Sequence, residues 1–74
     1  MISRTHRQIP LRIAPARLSD LDAIMDIERV AFPTPWPRQA FRDELDRDFA
    51  RLEVLRAGDE ARVVGFVNYW VIHD

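Results

Sequence analysis

The sequence predicts an α/β fold whose elements follow the order strand, helix, helix, strand, strand (β-α-α-β-β). Two central segments repeat apolar residues at helical spacing, whereas three flanking segments alternate or run continuously in apolar residues. Prolines and a glycine separate these segments. The 74 residues, of which 47% are hydrophobic and 31% charged, are typical of one small globular domain. Residues 1–8 are basic and polar and predict a flexible tail, so the domain would span residues 9–74.

The first strand is predicted at residues 11–14, where apolar and polar residues alternate between Pro10 and Pro15. The first helix should begin at Ser19, a good N-cap, with Asp22 completing a weak capping box. Its apolar face is formed by Leu21, Ile24 and Met25. Glu28 occupies the next position on that face, so a carboxylate interrupts the apolar pattern.

The connection after the first helix is rigid and apolar. The helix should end near Phe32, because Pro33, Pro35 and Pro37 lack backbone donors and favour extended geometry before them. A second helix is predicted at residues 38–48, with an ion pair between Asp43 and Arg47. Its many charged residues predict a solvated outer face.

Two further strands complete the predicted order. The second covers residues 50–56 and leads into a turn at Gly58, a residue that tolerates positive φ. The third covers Arg62 to Ile72, and its unbroken apolar run predicts burial on both faces. No element follows to cover this strand, so we expect an incomplete domain. Its open edge is also a candidate for self-association of two copies.

Composition excludes several classes of function. The chain has no cysteine, which excludes disulfides and thiolate zinc sites and suits the cytoplasm. A formal net charge of -1 gives no support for nucleic-acid binding. The longest apolar run, residues 63–72, is shorter than the roughly 20 residues of a membrane span. We therefore expect neither a nucleic-acid partner nor a membrane, and no residue pattern predicts a metal site.

Residues 11–41 (LRIAPARLSDLDAIMDIERVAFPTPWPRQAF) and residues 63–74 (VVGFVNYWVIHD) resemble a known superfamily. The SDLDAI helix start, the IE-x-x-AF-x-x-PW segment and the VVGF strand look like the N-terminal half of a GCN5-related N-acetyltransferase (GNAT). Bacterial ribosomal-protein-alanine N-acetyltransferases are the most similar members. The resemblance implies the first half of the GNAT mixed sheet and transfer of acetyl from acetyl-CoA to a protein N-terminal amine. The implied acceptor is the N-terminal alanine of a small-subunit ribosomal protein.

The resemblance also implies parts that this sequence lacks. Family members hold the pyrophosphate of acetyl-CoA in a Q/R-x-x-G-x-G/A loop at a helix N-terminus. The only glycines here, Gly58 and Gly65, belong to no such loop. The family's candidate general base and general acid would also lie beyond this chain. We therefore expect no catalytic and no cofactor-binding residue among these 74, and no activity from this chain alone.

The acceptor site is the part that the resemblance assigns to this chain. Phe32, Pro33, Thr34 and Trp36 would form one wall of the acceptor groove, and Glu28 would help to position the amine. The residue pattern leaves alternatives open. Phe32 and Trp36 could instead seal the helices onto the sheet, which is the simpler interpretation for Phe32. Glu28 could instead accept hydrogen bonds from backbone N–H groups of the following loop, the interpretation we favour.

Two other functions stay open from the sequence. The chain could belong to a GNAT enzyme that acetylates another amine, such as a small molecule. It could also be a non-catalytic module that oligomerises by strand pairing through the edge of the third strand.

Overall fold

The computed structural model describes residues 10–72, and the predicted tail at residues 1–8 lies outside them. The elements are β1 (Leu11–Pro15), α1 (Leu21–Ala31), α2 (Arg38–Asp46), β2 (Ala50–Ala57) and β3 (Arg62–Trp70). The predicted α/β class and the order β-α-α-β-β are confirmed. Across residues 10–72, no helix combines the length and the hydropathy needed to cross a membrane.

The three strands form one antiparallel sheet in the order β1-β2-β3. The register places Ala14 beside Val54 and Leu52 beside Asn68. β2 is the central strand, and its side chains alternate between the two faces as the sequence predicts. A bulge between Leu55 and Arg56 shifts the pairing with β3 near the connecting turn.

Both helices contribute to a single core on one face of the sheet. α1 packs mainly against β3, and α2 packs against β2. The core residues are Leu21, Ile24, Met25, Phe41, Leu52 and Val54. Full burial of each large apolar side chain contributes roughly 1.5–3 kcal/mol. This core fixes the position of the α1–α2 loop over β3, which becomes important for the candidate site.

The predicted burial of the third strand on both faces is wrong for the described residues. Side chains of β3 are half-buried or exposed along its whole length, and the strand ends at Trp70 rather than Ile72. Because both helices lie on one face, nothing among residues 10–72 covers the other. Val67 and Tyr69 of β3 and Ile13 of β1 are correspondingly exposed.

The start of α1 also differs from the prediction. Ser19 does not cap the helix; it lies exposed in a short 3-10 turn (Leu18–Asp20) that precedes α1. Asp20 provides the carboxylate, accepting the Arg17 N–H at 2.7 Å and two hydrogen bonds from the guanidinium of Arg56 at 3.0 and 2.6 Å. The bonds from Arg56, above all, hold the pKa of Asp20 below its usual value although burial opposes this. An ion pair with β2 thus decides which residue anchors the turn.

The end of α2 also differs from the prediction. The helix stops at Asp46, two residues before the predicted end, and the ion pair between Asp43 and Arg47 does not form. Arg47 has extended backbone geometry, and its guanidinium donates to Glu44 at 2.6 Å. Asp43 instead accepts a hydrogen bond from Gln39. One face of α2 is therefore not solvated as predicted, because it buries Glu44.

Candidate functional site

A cleft of about 620 Å³ opens between α1, the α1–α2 loop and β3. We call it the groove. α1 contributes Glu28, the loop contributes Phe32, Thr34 and Trp36, and β3 contributes residues 66–68. Phe41 of α2 and two further residues of α1 complete its lining. Four of the five predicted acceptor-site residues therefore meet in one place, while Pro33 lies in the same loop but does not line the groove.

Glu28 fixes the loop that forms one wall of the groove. The residue is only 5% exposed, and its Oε2 accepts the backbone N–H of Trp36 at 2.8 Å. This confirms the prediction that Glu28 accepts a backbone hydrogen bond from the loop after Phe32. The three prolines limit the conformations of the same loop before any ligand arrives. The rigid, apolar connection noted in the sequence is thus a preformed wall anchored to α1.

Trp36 combines the two roles that the sequence left open. Its ring lies 5.3 Å from the ring of Phe41, and Phe41 makes an edge-to-face contact with Phe66 at 5.4 Å. Trp36 is nevertheless 47% exposed and lines the groove. One side of the indole therefore packs against the core while the rest is accessible to a ligand.

Phe32 does not seal the helices onto the sheet, so the simpler interpretation of this residue is wrong. It is 53% exposed, and it follows the last residue of α1, Ala31, with extended backbone geometry. Its side chain lines the groove with Thr34. Phe32 therefore adds apolar surface to the groove rather than to the core.

One carboxylate oxygen of Glu28 can still accept hydrogen bonds. Trp36 occupies Oε2, and Oε1 has no hydrogen-bond partner among the described residues. The other side chains around the groove are largely aromatic or aliphatic. A carboxylate oxygen next to aromatic faces suits a cationic group, because both the charge and the ring quadrupoles attract it. The site therefore has the chemistry of an ammonium-binding groove.

A second buried carboxylate, Glu44, was missed at the sequence level. Glu44 is 2% exposed, and its Oε1 accepts hydrogen bonds from Asn68 Nδ2 at 2.9 Å and Trp70 Nε1 at 2.8 Å. Its Oε2 accepts from Arg47. Burial raises the pKa of Glu44, but the donors from Asn68, Trp70 and Arg47 outweigh it and leave the pKa below its usual value. We call these four residues the Glu44 cluster.

The sequence did contain a signal for this cluster. Glu44 lies three residues after Phe41, so it shares the buried face of α2, just as Glu28 shares the buried face of α1. The many other charges of α2 concealed it. Its partners could not be found from spacing, because Asn68 and Trp70 reach it from β3 only in the folded chain.

Asn68 connects the Glu44 cluster to the groove. It lines the groove, and its amide N–H₂ group donates to Glu44. This bond fixes the orientation of the amide, since the opposite orientation would set two acceptors against each other. The side-chain Oδ1 is buried and has no hydrogen-bond partner among the described residues. An unsatisfied buried acceptor is unusual in a folded protein.

The described residues do not fit the pyrophosphate of acetyl-CoA. Gly58, with a φ of 77°, lies in the β2–β3 turn beside the acidic Asp59, and Gly65 lies within β3. Neither glycine precedes a helix, so neither forms the glycine-rich loop at a helix N-terminus that holds a pyrophosphate. Within residues 10–72 there is also no group of three or more acidic or histidine side chains that could hold a metal ion.

No family model, curated protein or solved structure matches this chain. The residues that the groove brings together are therefore the basis for assigning a function.

Proposed function

We propose that this chain forms the acceptor-binding side of a GNAT-type N-acetyltransferase that acetylates a protein N-terminal amine in the cytoplasm. The proposed acceptor is the N-terminal alanine of a small-subunit ribosomal protein. Two features support this function: the element order β-α-α-β-β, and the resemblance of residues 27–36 to the family's acceptor loop. Acetyl-CoA would supply the acetyl group, and its binding residues would lie outside the described part of the chain.

The observation that carries the proposal is the state of Glu28. One oxygen of this buried carboxylate holds the loop, and the other is left without a partner in a groove walled by Phe32 and Trp36. A free N-terminal amine is an alkylammonium ion at neutral pH. It can bind the open oxygen of Glu28 while its carbon atoms contact the aromatic walls.

In this function the chain binds and orients the amine rather than carrying out the chemistry. Holding the amine at a fixed place converts an encounter between two molecules into an almost unimolecular step. The amine must lose a proton before it can attack a thioester. The apolar walls lower the pKa of the ammonium ion by reducing its hydration, whereas the negative charge of Glu28 raises it. The proton must therefore pass to a general base, which would lie outside the described residues.

A binding titration tests this proposal with the chain as it is. A short peptide amide with an N-terminal alanine is added while amide NMR shifts, including the indole N–H signal of Trp36, are followed. We expect the free-amine peptide to bind and the same peptide with an acetylated N-terminus to bind at least about tenfold more weakly, because it lacks the charge. Equal affinity of the two peptides would rule out amine recognition.

Variants of α1 identify the residue responsible. Glu28→Gln keeps an acceptor for the Trp36 N–H and removes the charge, so we expect about tenfold weaker binding in a folded chain. Asp26→Asn is the matched control, since this exposed carboxylate two residues earlier pairs with Arg29. Loss of stability without loss of affinity in Glu28→Gln would limit Glu28 to a structural role.

A strand-pairing module is the second candidate, favoured by the position of β3 at the edge of the sheet. In that function two copies would associate through Arg62–Ile72. Sedimentation over a concentration series separates the candidates, because a folded monomer at all concentrations contradicts self-association.

A further inference from the structure

We propose that Glu44 is a positioning residue of the groove: it does not touch the acceptor, but it fixes the β3 side of the groove relative to the loop wall and so determines how tightly the acceptor peptide binds. This inference rests on the proposed function and adds a second residue on which acceptor binding depends. It requires a bond from Glu44 to a residue of the groove, and a link from α2 to the loop wall.

Glu44 reaches the groove through Asn68. Its Oε1 accepts a hydrogen bond from Asn68 Nδ2 at 2.9 Å, and Asn68 lines the groove. Glu44 itself is 2% exposed and does not line the groove. Any influence of Glu44 on a bound peptide must therefore pass through Asn68 or through the position of α2.

Phe41 links the same face of α2 to the loop wall. It precedes Glu44 by three residues, so the two side chains lie about one helical turn apart. Its ring centroid is 5.3 Å from that of Trp36, in the loop, and 5.4 Å from that of Phe66, in β3. The buried face of α2 thus contacts both sides of the groove, with Phe41 by packing and with Glu44 by hydrogen bonding.

The two kinds of contact constrain different movements. Apolar attraction is non-directional, so the packing of Phe41 alone would allow α2 to slide along β3. Hydrogen bonds have narrow requirements on distance and angle, and those to a carboxylate are the stronger ones. Glu44 accepts from Asn68 and from Trp70, two residues further along β3. It therefore fixes where α2 lies along the strand, and with it the spacing between the two sides of the groove.

Stability alone does not account for a carboxylate at this position. The other residues of the core cluster are apolar. Replacing a buried ionic network by apolar side chains of similar volume often leaves a protein equally or more stable. An apolar residue at position 44 would avoid the desolvation of a charge but would not fix the register of α2 on β3. The geometry that Glu44 imposes is therefore the better explanation for its burial.

Two substitutions of Glu44 that both remove the charge test the inference in the peptide titration. Glu44→Met also removes the acceptor, so we expect the free-amine peptide to bind about fivefold more weakly. Glu44→Gln keeps an oxygen for Asn68 Nδ2, so its affinity should stay within about twofold of the parent although the variant is less stable. Asp20→Asn is the control for loss of a buried carboxylate away from the groove, since Asp20 bonds to Arg56, and it too should bind within about twofold.

The indole N–H signals of the two tryptophans provide a second readout, in the absence of peptide. Glu44→Met removes the acceptor of Trp70, so the Trp70 signal should shift in any case. Positioning predicts that the Trp36 signal shifts as well, although the backbone of Trp36 is bonded to Glu28 and not to Glu44. If only the Trp70 signal shifts and the affinity of Glu44→Met equals that of the parent, Glu44 is purely structural and the inference is overturned.

The remaining outcomes also decide the matter. Equal weakening by Glu44→Met and Asp20→Asn would assign the effect to lost stability and would contradict positioning. If Glu44→Met does not fold, the parent chain gives the answer: the peptide should shift the side-chain amide signals of Asn68 together with the Trp36 indole signal, and unchanged Asn68 signals would exclude the inference. Failure of the proposed function is distinct, because the free and acetylated peptides would then bind alike to the parent.

Discussion

The groove and the Glu44 cluster each contain a buried carboxylate on the core-facing side of a helix. Glu28 is 5% exposed and Glu44 is 2% exposed, so burial does not distinguish them. Their bonding does. Glu44 accepts from Asn68, Trp70 and Arg47, whereas Glu28 accepts only the Trp36 N–H among the described residues.

This difference separates a carboxylate that stabilises the fold from one that can meet a ligand. A buried charge is tolerated when its oxygens are satisfied, and the donors to Glu44 satisfy both. Glu28 satisfies one oxygen with the loop and leaves the other for the groove. Both residues interrupt an apolar helical face in the same manner, so only their hydrogen-bond partners distinguish the two roles.

The largest expected effect compares the same substitution at both sites. Glu44→Gln should lower the free energy of unfolding by about 2 kcal/mol, because it removes charge-assisted bonds and sets an amide N–H₂ group against donors. Glu28→Gln should lower it by less than about 1 kcal/mol, because the amide oxygen still accepts the Trp36 N–H. Urea unfolding of both variants measures the difference.

Asp43→Asn is the control for a general charge effect on α2. Asp43 is exposed and accepts a hydrogen bond from the exposed side chain of Gln39, so Asp43→Asn should change the free energy of unfolding by no more than about 0.5 kcal/mol. Equal losses for Glu44→Gln and Glu28→Gln would remove the distinction between the two carboxylates.

The second prediction concerns acid. The pKa values of Asp20 and Glu44 are both lowered in the folded chain, by Arg56 and by the donors of the Glu44 cluster. Each contributes stability that is fully present above its unfolded pKa of about 4 and is lost as pH falls through the lower folded value. The urea midpoint should therefore be level from pH 7 to 5 and should fall below about pH 4.

The Glu44→Gln variant sharpens this test. Its midpoint should be lower than that of the parent at pH 6, and the gap should narrow as pH falls below about 4, where the stability contributed by ionised Glu44 is progressively lost. A constant gap across this range would show that ionised Glu44 contributes nothing. Circular dichroism during urea unfolding at each pH provides the measurement.

Local patterns were enough to predict most elements of the fold. The prolines after Phe32, the alternation in β2 and the turn at Gly58 each depend on neighbours in sequence, and all three were confirmed. The predicted helix boundaries were wrong where contacts between residues distant in sequence determine them. Asp20 replaced Ser19 at the start of α1 because Arg56 reaches it from β2, 36 residues away.

The candidate site, too, could be predicted from the sequence only where it depends on residues close together in the chain. The interruption of an apolar face by Glu28 was visible in the sequence, and its bond to the loop was predicted. The exposure of Phe32 was not, because it depends on where the extended loop leaves α1. Burial of Arg62–Ile72 was predicted from composition alone, which gives the apolar character of a strand but not the layers that cover it.

The smallest expected effects come from two equally exposed aromatic residues, one in each region. Phe32 and Trp70 are both 53% exposed, so surface area predicts similar losses on substitution. Trp70, however, donates its indole N–H to Glu44 and packs edge-to-face on Phe49, with ring centroids 5.0 Å apart.

Trp70→Phe keeps an aromatic ring but removes the donor, so we expect the free energy of unfolding to fall by about 1 kcal/mol. Phe32→Leu removes no hydrogen bond and should change stability by less than about 0.5 kcal/mol, while weakening peptide binding in the groove. Urea unfolding and the peptide titration, performed on both variants, give the two readouts. If Phe32→Leu proved more destabilising than Trp70→Phe, the side chain of Phe32 would belong to the core. The α1–α2 loop could then not be the exposed, preformed wall of the groove.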